Sequence, residues 1–190
     1  MDIVSRAKNM IMSPAAEWPV VASESYTVGS LYQGYIIQLA AIPPVATLIG
    51  TLLFRHIGFG GALLIAIVTY ILGLIGVYVV AFVAGKLAPM FGGNDSTEAG
   101  LKLVAFGSTA TWVGGIFHII PVLGILSLLA AIYGIYLFYT GVTPVMNVPS
   151  GRAIGYLIAL VVTWVVVAIV IGFIVIAIVG SGAAAGMGMM

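Results

Sequence analysis

Charge is absent from four long stretches of this chain: Ser25 to Phe54, Ile57 to Gly85, Leu103 to Gly151 and Ala153 to Met190. Each exceeds the roughly 20 residues that an α-helix needs to cross about 30 Å of hydrocarbon. The third is long enough to cross twice. Within it, His118 and Pro121 interrupt the apolar pattern and Gly124 can open a new helix, so a turn is expected there. The pattern predicts five spans, at about 30–54, 60–87, 100–118, 122–141 and 152–179. Backbone groups that face lipid must be bonded within their own segment, and the polar/apolar alternation of a barrel strand is missing. The expected fold is therefore all-α: a polytopic membrane bundle of five helices, with a short interfacial helix before it.

That leading helix comes from residues 2–24, whose pattern differs from everything that follows. Ile3, Val4, Ala7, Met10 and Ile11 recur at helical spacing against Asp2, Arg6 and Asn9. This suits an amphipathic helix in the plane of the membrane interface. Ser13 and Pro14 read as the N-cap and first position of a second helix. Pro19 interferes with that helix, so it either bends near Trp18 or starts only around Ala16. The expected organisation is an amphipathic, cytoplasmic N-terminal segment (1–29), a membrane domain (30–180) and a flexible Gly/Met-rich tail (181–190).

Composition agrees with this reading. Only six Lys plus Arg and five Asp plus Glu serve 190 residues, far too few to clothe a water-soluble domain. A net charge of +1 with no basic cluster excludes a nucleic-acid binder that works by neutralising phosphates. The absence of cysteine excludes a disulfide scaffold or a thiolate nucleophile. Five of the six basic residues, Arg6, Lys8, Lys86, Lys102 and Arg152, fall on one side of a five-span chain, with Arg55 on the other. The positive-inside rule then puts the N-terminus in the cytoplasm and the C-terminus across the membrane. Residues 1–24 also lack the continuous apolar run of a signal peptide.

Few residues offer chemistry. Glu17 and Glu24, seven apart, share a face if the segment between them is helical, with Trp18 and Tyr26 as interfacial aromatics. They either mark the headgroup boundary or tuck under the bundle to meet a cation, for which Lys86, Lys102 and Arg152 are available. Pro43 and Pro44 remove two backbone donors from the first span and should kink or break it. Gln38, Thr47 or Thr51 could repair the gap, or the freed carbonyls could line a solute path. Small residues four apart, at Gly58 and Ala62, Ala81 and Gly85, Gly107 and Thr111, and Gly151 and Gly155, mark close helix contacts. In the polar stretch around Gly92 and Gly93, Asp95 or Ser96 should cap the third span. His118 and His56 lie on one side but lack further ligands for a metal, and a Met-rich tail has no fixed geometry, so no metal or cofactor is expected. No catalytic constellation occurs, so an enzyme is not expected.

The segments SPAAEWPVVASES and LAPMFGGNDSTEAGLKLVAFGSTATWVGGIFHIIPVLGILSLLAAIYGIYLFYTGVTPVMNVPSGRAIGY resemble the bacterial branch of the Yip domain family. The family is named for interaction with Ypt/Rab GTPases in eukaryotes. The resemblance implies a five-span bundle without known catalysis, with a cytoplasmic N-terminus, in the plasma (inner) membrane of a bacterium. It also implies a role in membrane organisation or trafficking-like processes. The eukaryotic Asp-Leu-x-Gly-Pro motif is replaced here by SPAAEWP, so Rab binding does not carry over. Gly155 and Tyr156 match a Gly-Tyr pair of the eukaryotic branch. The expected partners are the lipid bilayer, further copies of this chain or other membrane proteins. The alternative is a small-solute or ion conduit with a broken first span and carboxylates at its entrance.

Overall fold

The computed structural model describes residues 2–54 and 58–187, with side chains to 178. Arg55, His56, Met189 and Met190 lie outside the described residues. Among the described residues every regular element is helical. Helices α1 (Ile3–Met12) and α2 (Pro14–Ser23) lead into a first long rod built from α3 (Val28–Leu31), a π-helical turn (Tyr32–Ile36), α4 (Ile37–Ala40) and α5 (Ile42–Phe54). Then follow α6 (Phe59–Leu87), α7 (Thr97–Gly107), α8 (Thr109–Gly114), 3-10 turns at Gly115–Ile119 and Pro121–Leu123, α9 (Gly124–Met146) and α10 (Ser150–Met187). The backbone of α10 thus stays helical into the stretch expected as a tail.

Four rods are long and apolar enough to cross a membrane: Val28–Phe54, Phe59–Phe91, Pro121–Met146 and Ser150–Ile178. The count of five spans is not confirmed by helix continuity. The stretch expected as the third span is broken at Ser108 and again at Gly115, leaving pieces of 11 and 6 residues before the 3-10 turn. Its position compensates for its breaks. A Cβ on Gly85 would lie 2.7 Å from Ser96 O, and one on Gly100 would strike Ala81 O, so α7 runs antiparallel to α6 with backbones in contact. On its other side, Gly107 lies against Phe138 and Gly134 against Thr111, which sets α7–α8 antiparallel to α9.

In lipid there is little hydrophobic drive between helices, so close approach of small residues and interhelical hydrogen bonds carry association. Two of the four small-residue pairs, Ala81/Gly85 and Gly107/Thr111, make such contacts, and Gly155 faces the Phe91 ring at 3.1 Å. Gly58 and Gly151 face open space.

The core is centred on α7. Leu101, Leu103, Val104, Ala105 and Phe106 are wholly buried. Three hydroxyls within it are paired: Tyr35 donates to Thr109 Oγ1 at 2.7 Å, and Thr109 passes its own hydrogen to Phe106 O at 2.6 Å. Tyr156 donates to Ala84 O at 2.9 Å. Around Pro43 and Pro44 the rod does break, with a turn at Ala41. Gln38 does not fill that gap: its amide donates to Gln33 O at 3.1 Å, beside the π-helical turn.

The N-terminal pair of helices packs one face on the bundle. Met10, Trp18 and Val21 are completely buried against the bundle. Tyr133 donates to Ile11 O at 2.6 Å, and Trp18 Nε1 donates to Thr140 Oγ1 at 3.0 Å. A Cβ on Gly141 would lie 2.6 Å from the Trp18 ring, so α9 offers a glycine where the indole seats. Helix α2 starts at Pro14 and continues through Pro19, rather than starting at Ala16.

Candidate functional site

The densest polar constellation lies where α1, α2 and α7 meet. Asp2 caps α1, accepting from Val4 N at 3.2 Å and Ser5 N at 3.3 Å, a normal role for a carboxylate at a helix start. One turn on, Arg6 faces back across the α1–α2 hairpin. Its Nη1 meets Glu17 Oε1 at 2.5 Å, and its Nη2 meets both Glu24 oxygens at 2.6 and 2.8 Å. The fork geometry of guanidinium suits two carboxylates at once, where an ammonium would act as a point charge. Tyr26 OH donates to Glu24 Oε2. Lys102 Nζ donates to Glu24 O at 2.5 Å and to Ala22 O at 3.3 Å, covering carbonyls that the end of α2 leaves unpaired. It also lies 5.7 Å over the Tyr26 ring.

Burial makes this cluster matter. Glu17 is only 8% exposed, a position a lone carboxylate could not occupy in charged form. For Glu24, burial alone would raise the pKa. The hydrogen bonds from Tyr26 and Arg6, helped by the charges of Arg6 and Lys102, outweigh it and hold the carboxyl below its ordinary range. Burial and the bond to Glu24 push the Tyr26 phenol far up, so it remains a donor. Burial works against the Arg6 charge, but Glu24, Tyr26 and Glu17 together reinforce it. An open polar cavity of about 700 Å³ lies over the cluster, with Asp2, Asn9 and Ser25 on its rim.

The cation that meets the two glutamates is therefore Arg6, from their own segment. Lys86 pairs instead with Asp95 at 2.8 Å, both half exposed. Lys102 touches Glu24 through its backbone. Arg152 stands beside Gly92, 3.5 Å from where a Cβ would project. Gly92 itself has φ +83°, which only glycine adopts without strain, and it turns the chain into α7. Ser96 is the residue that caps α7, accepting from Ala99 N at 3.1 Å, which leaves Asp95 free for Lys86. Asn94 N donates to Met146 O at 3.0 Å and docks this loop on the end of α9.

The remaining candidates gather at the opposite end. Pro43, Pro44, Thr47, Thr51 and His118 line a crevice of about 220 Å³. An adjoining hollow of about 270 Å³ shares Thr47, Thr51 and His118 and adds Pro121. A Cβ on Gly50 would lie 2.5 Å from His118 O, so α5 rests directly on the 3-10 turn. Neither hollow shares a lining residue with the cavity over Arg6. Sequence reasoning missed Arg6 as the partner cation and the Tyr35–Thr109 pair, and named Tyr26 only as an interfacial aromatic rather than as a donor to Glu24. For Arg6 the available signal was that it and Lys8 are the cations sharing a segment with Glu17 and Glu24.

A family model described as the Yip1 domain matches residues 8–172. No curated protein and no solved structure matches the chain.

Proposed function

Because the chain belongs to the Yip1 domain family, a family of membrane proteins, we propose that it is a non-enzymatic membrane scaffold. In this reading it works by packing against copies of itself or other membrane proteins to organise the bilayer. The packed interior carries the reading: Tyr35, Phe106 and Thr109 are all but fully buried, with the two rings 4.6 Å apart, and the cavity over Arg6 shares no lining residue with the crevice at Pro43. Such packing suits a scaffold better than a conduit. The conduit alternative has in its favour the adjoining hollows around Thr47, Thr51 and His118. The test is flux of small solutes and ions from proteoliposomes alongside energy transfer between labelled copies. Scaffolding predicts no flux above empty vesicles together with association; flux that Tyr35→Ala increases would overturn it.

We also propose that residues 97–119 form a fifth crossing, with the N-terminus cytoplasmic. Antiparallel contact along α6 on one side and α9 on the other supports this path, and the basic residues support the orientation. The chain contains no cysteine. Single cysteines at Met90 and Val122, both well exposed, should therefore label from opposite faces of intact membranes. Labelling of both from one face would exclude this crossing.

A further inference from the structure

Helices α1 and α2 are joined at Ser13 with almost no loop, and their bonds to α9 fix how deep that turn lies. One end of α9 stands among polar groups: Asn94 N donates to Met146 O, and the same loop holds the half-exposed Lys86–Asp95 pair. Moving inward, Trp18 Nε1 donates to Thr140, and then Ile11 O accepts from Tyr133. Tyr133 lies about 20 Å along α9 from Met146, at about 1.5 Å per residue. Side chains on a helix lean toward its N-terminus, which for α9 is away from Met146, so the phenol does not shorten that depth. A second helix agrees. Ile11 lines one groove with Val113, and Val113 lies about 24 Å beyond Thr97, where α7 begins beside Gly85. Both measures place the turn near the middle of a hydrocarbon layer of roughly 30 Å.

The chemistry of the turn suits that depth. From Met10 to Ala16 the chain carries no charge, and Ser13 is the one polar residue. Arg6 and Glu24 meet toward the open end of the hairpin, Glu17 is paired with Arg6, and the exposed Lys8 has a stem long enough to carry its ammonium outward. Lipid offers no partner to a bare peptide group, so a turn immersed in it has to satisfy itself. Pro14 has no N–H to satisfy. Ser13 N donates to Asn9 O at 2.7 Å, Ser13 O accepts from Ala16 N and Glu17 N at 3.1 Å, and the Tyr133 hydroxyl covers Ile11 O. Met12, at 72%, and Ala15, Ala16 and Pro19 remain exposed.

We infer that α1 and α2 form a re-entrant hairpin. It enters the bilayer on the side of the Lys86–Asp95 loop, turns at Ser13 near mid-depth and returns to the same side, with Met12, Ala15, Ala16 and Pro19 against lipid acyl chains. It therefore fills one leaflet where the long rods fill both. The inference rests on the Pro121–Met146 rod crossing the membrane and holds for scaffold and conduit alike.

The chain has no cysteine, so Met12→Cys can carry a single environment-sensitive dye. Its fluorescence is read in phosphatidylcholine vesicles whose lipids bear a nitroxide either near the ester or near the chain end. Ile132→Cys, exposed on α9 beside Tyr133, is the mid-depth standard, and Met90→Cys, in the turn after α6, is the surface standard. Met12 should match Ile132, quenched more by the chain-end nitroxide than by the ester one and unaffected by aqueous iodide. Met90 should show the reverse preference and lose intensity to iodide. Should Met12→Cys fail to fold, Ala15→Cys supplies the same reading from the tip. A tip that follows Met90 while Ile132 reads deep overturns the hairpin. If neither nitroxide nor iodide reaches the tip, protein covers it and the proposal is equally wrong. If Ile132 itself reads shallow, the rod does not cross and the inference falls with it, a failure distinct from a shallow tip on a crossing rod.

Discussion

At the end of the bundle that carries the N-terminal helices, backbones touch and every buried charge has a partner. Gly85 and Gly100 admit α7 against α6, Gly141 admits Trp18, and Arg6 divides its guanidinium between Glu17 and Glu24. At the opposite end, α5 rests on a 3-10 turn, threonine hydroxyls line hollows, and Phe54, Phe59, Val122 and Ile125 are exposed. Charge is concentrated at the first end, where another part of the same chain supplies the complement to each buried group, and substitutions at the two ends should therefore have unequal consequences.

The largest contrast is steric. Gly100→Leu drives a side chain into Ala81 O, whereas Gly58→Leu, at the other end, meets nothing within 4 Å. The first should cost about 3 kcal/mol or more and leave no monodisperse protein in detergent. The second should stay within about 0.5 kcal/mol. Equal behaviour in size-exclusion chromatography and thermal unfolding would dissolve the distinction. Next in size is Arg6→Met, which leaves Glu17 buried without its cation. Removing one partner of a buried pair typically costs about 3–5 kcal/mol, and a joint Arg6→Met/Glu17→Met change should recover most of it because an apolar pair needs no desolvation. Thermal unfolding of the two variants measures both.

A smaller effect comes from pH. The Glu24 carboxyl has its pKa held below the ordinary value of 4.5, so its charged form is the one the fold favours. Its stabilisation is complete above that value and drains away as pH falls through the lower folded pKa. Hydrogen exchange of α1, corrected for intrinsic rates, should accelerate only below pH 4.5, and Glu24→Gln should flatten that dependence.

How much of this could be read in advance depended on range. The break at Pro43 and Pro44, the serine cap of α7 and the turn near Pro121 follow from a few neighbouring residues, and the chain states them openly. The N-terminal helices were harder. An apolar stripe of Ile3, Ala7, Met10 and Ile11 suits a lipid interface and a protein groove equally, because in a membrane both offer hydrocarbon. The seat for Trp18 at Gly141, far along the chain, docks this segment on α9, and no local pattern announces it. The division of the expected third span at Ser108 was hidden for a related reason. No proline marks it, and the residue after it, Thr109, meets its partner Tyr35 from far along the chain. The partner of Glu17 and Glu24 was sought among Lys86, Lys102 and Arg152, far along the chain, when Arg6 stood across a hairpin whose closure depended on α1 and α2 both forming.

The smallest expected effect tests whether proximity of charges alone makes an end of the bundle strong. Lys86 and Asp95 lie 2.8 Å apart, little farther than the 2.6 Å between Arg6 and Glu24. Both side chains, however, are about half exposed, at 52% and 50%, so water screens the pair and both residues keep most of their hydration when it breaks. Exposed pairs of this kind contribute about 0.2–1 kcal/mol. Lys86 also leans on the Phe82 ring at 5.9 Å, a contact that its aliphatic stem retains without the charge. Lys86→Met should therefore lower stability by no more than about 0.5 kcal/mol, and the loss should vanish in high salt. Arg6→Met should keep its deficit there, since buried charges are screened far less. If added salt erased both deficits alike, the Arg6 cluster would be an exposed pair in energetic terms, and the contrast between the two ends would rest on packing alone.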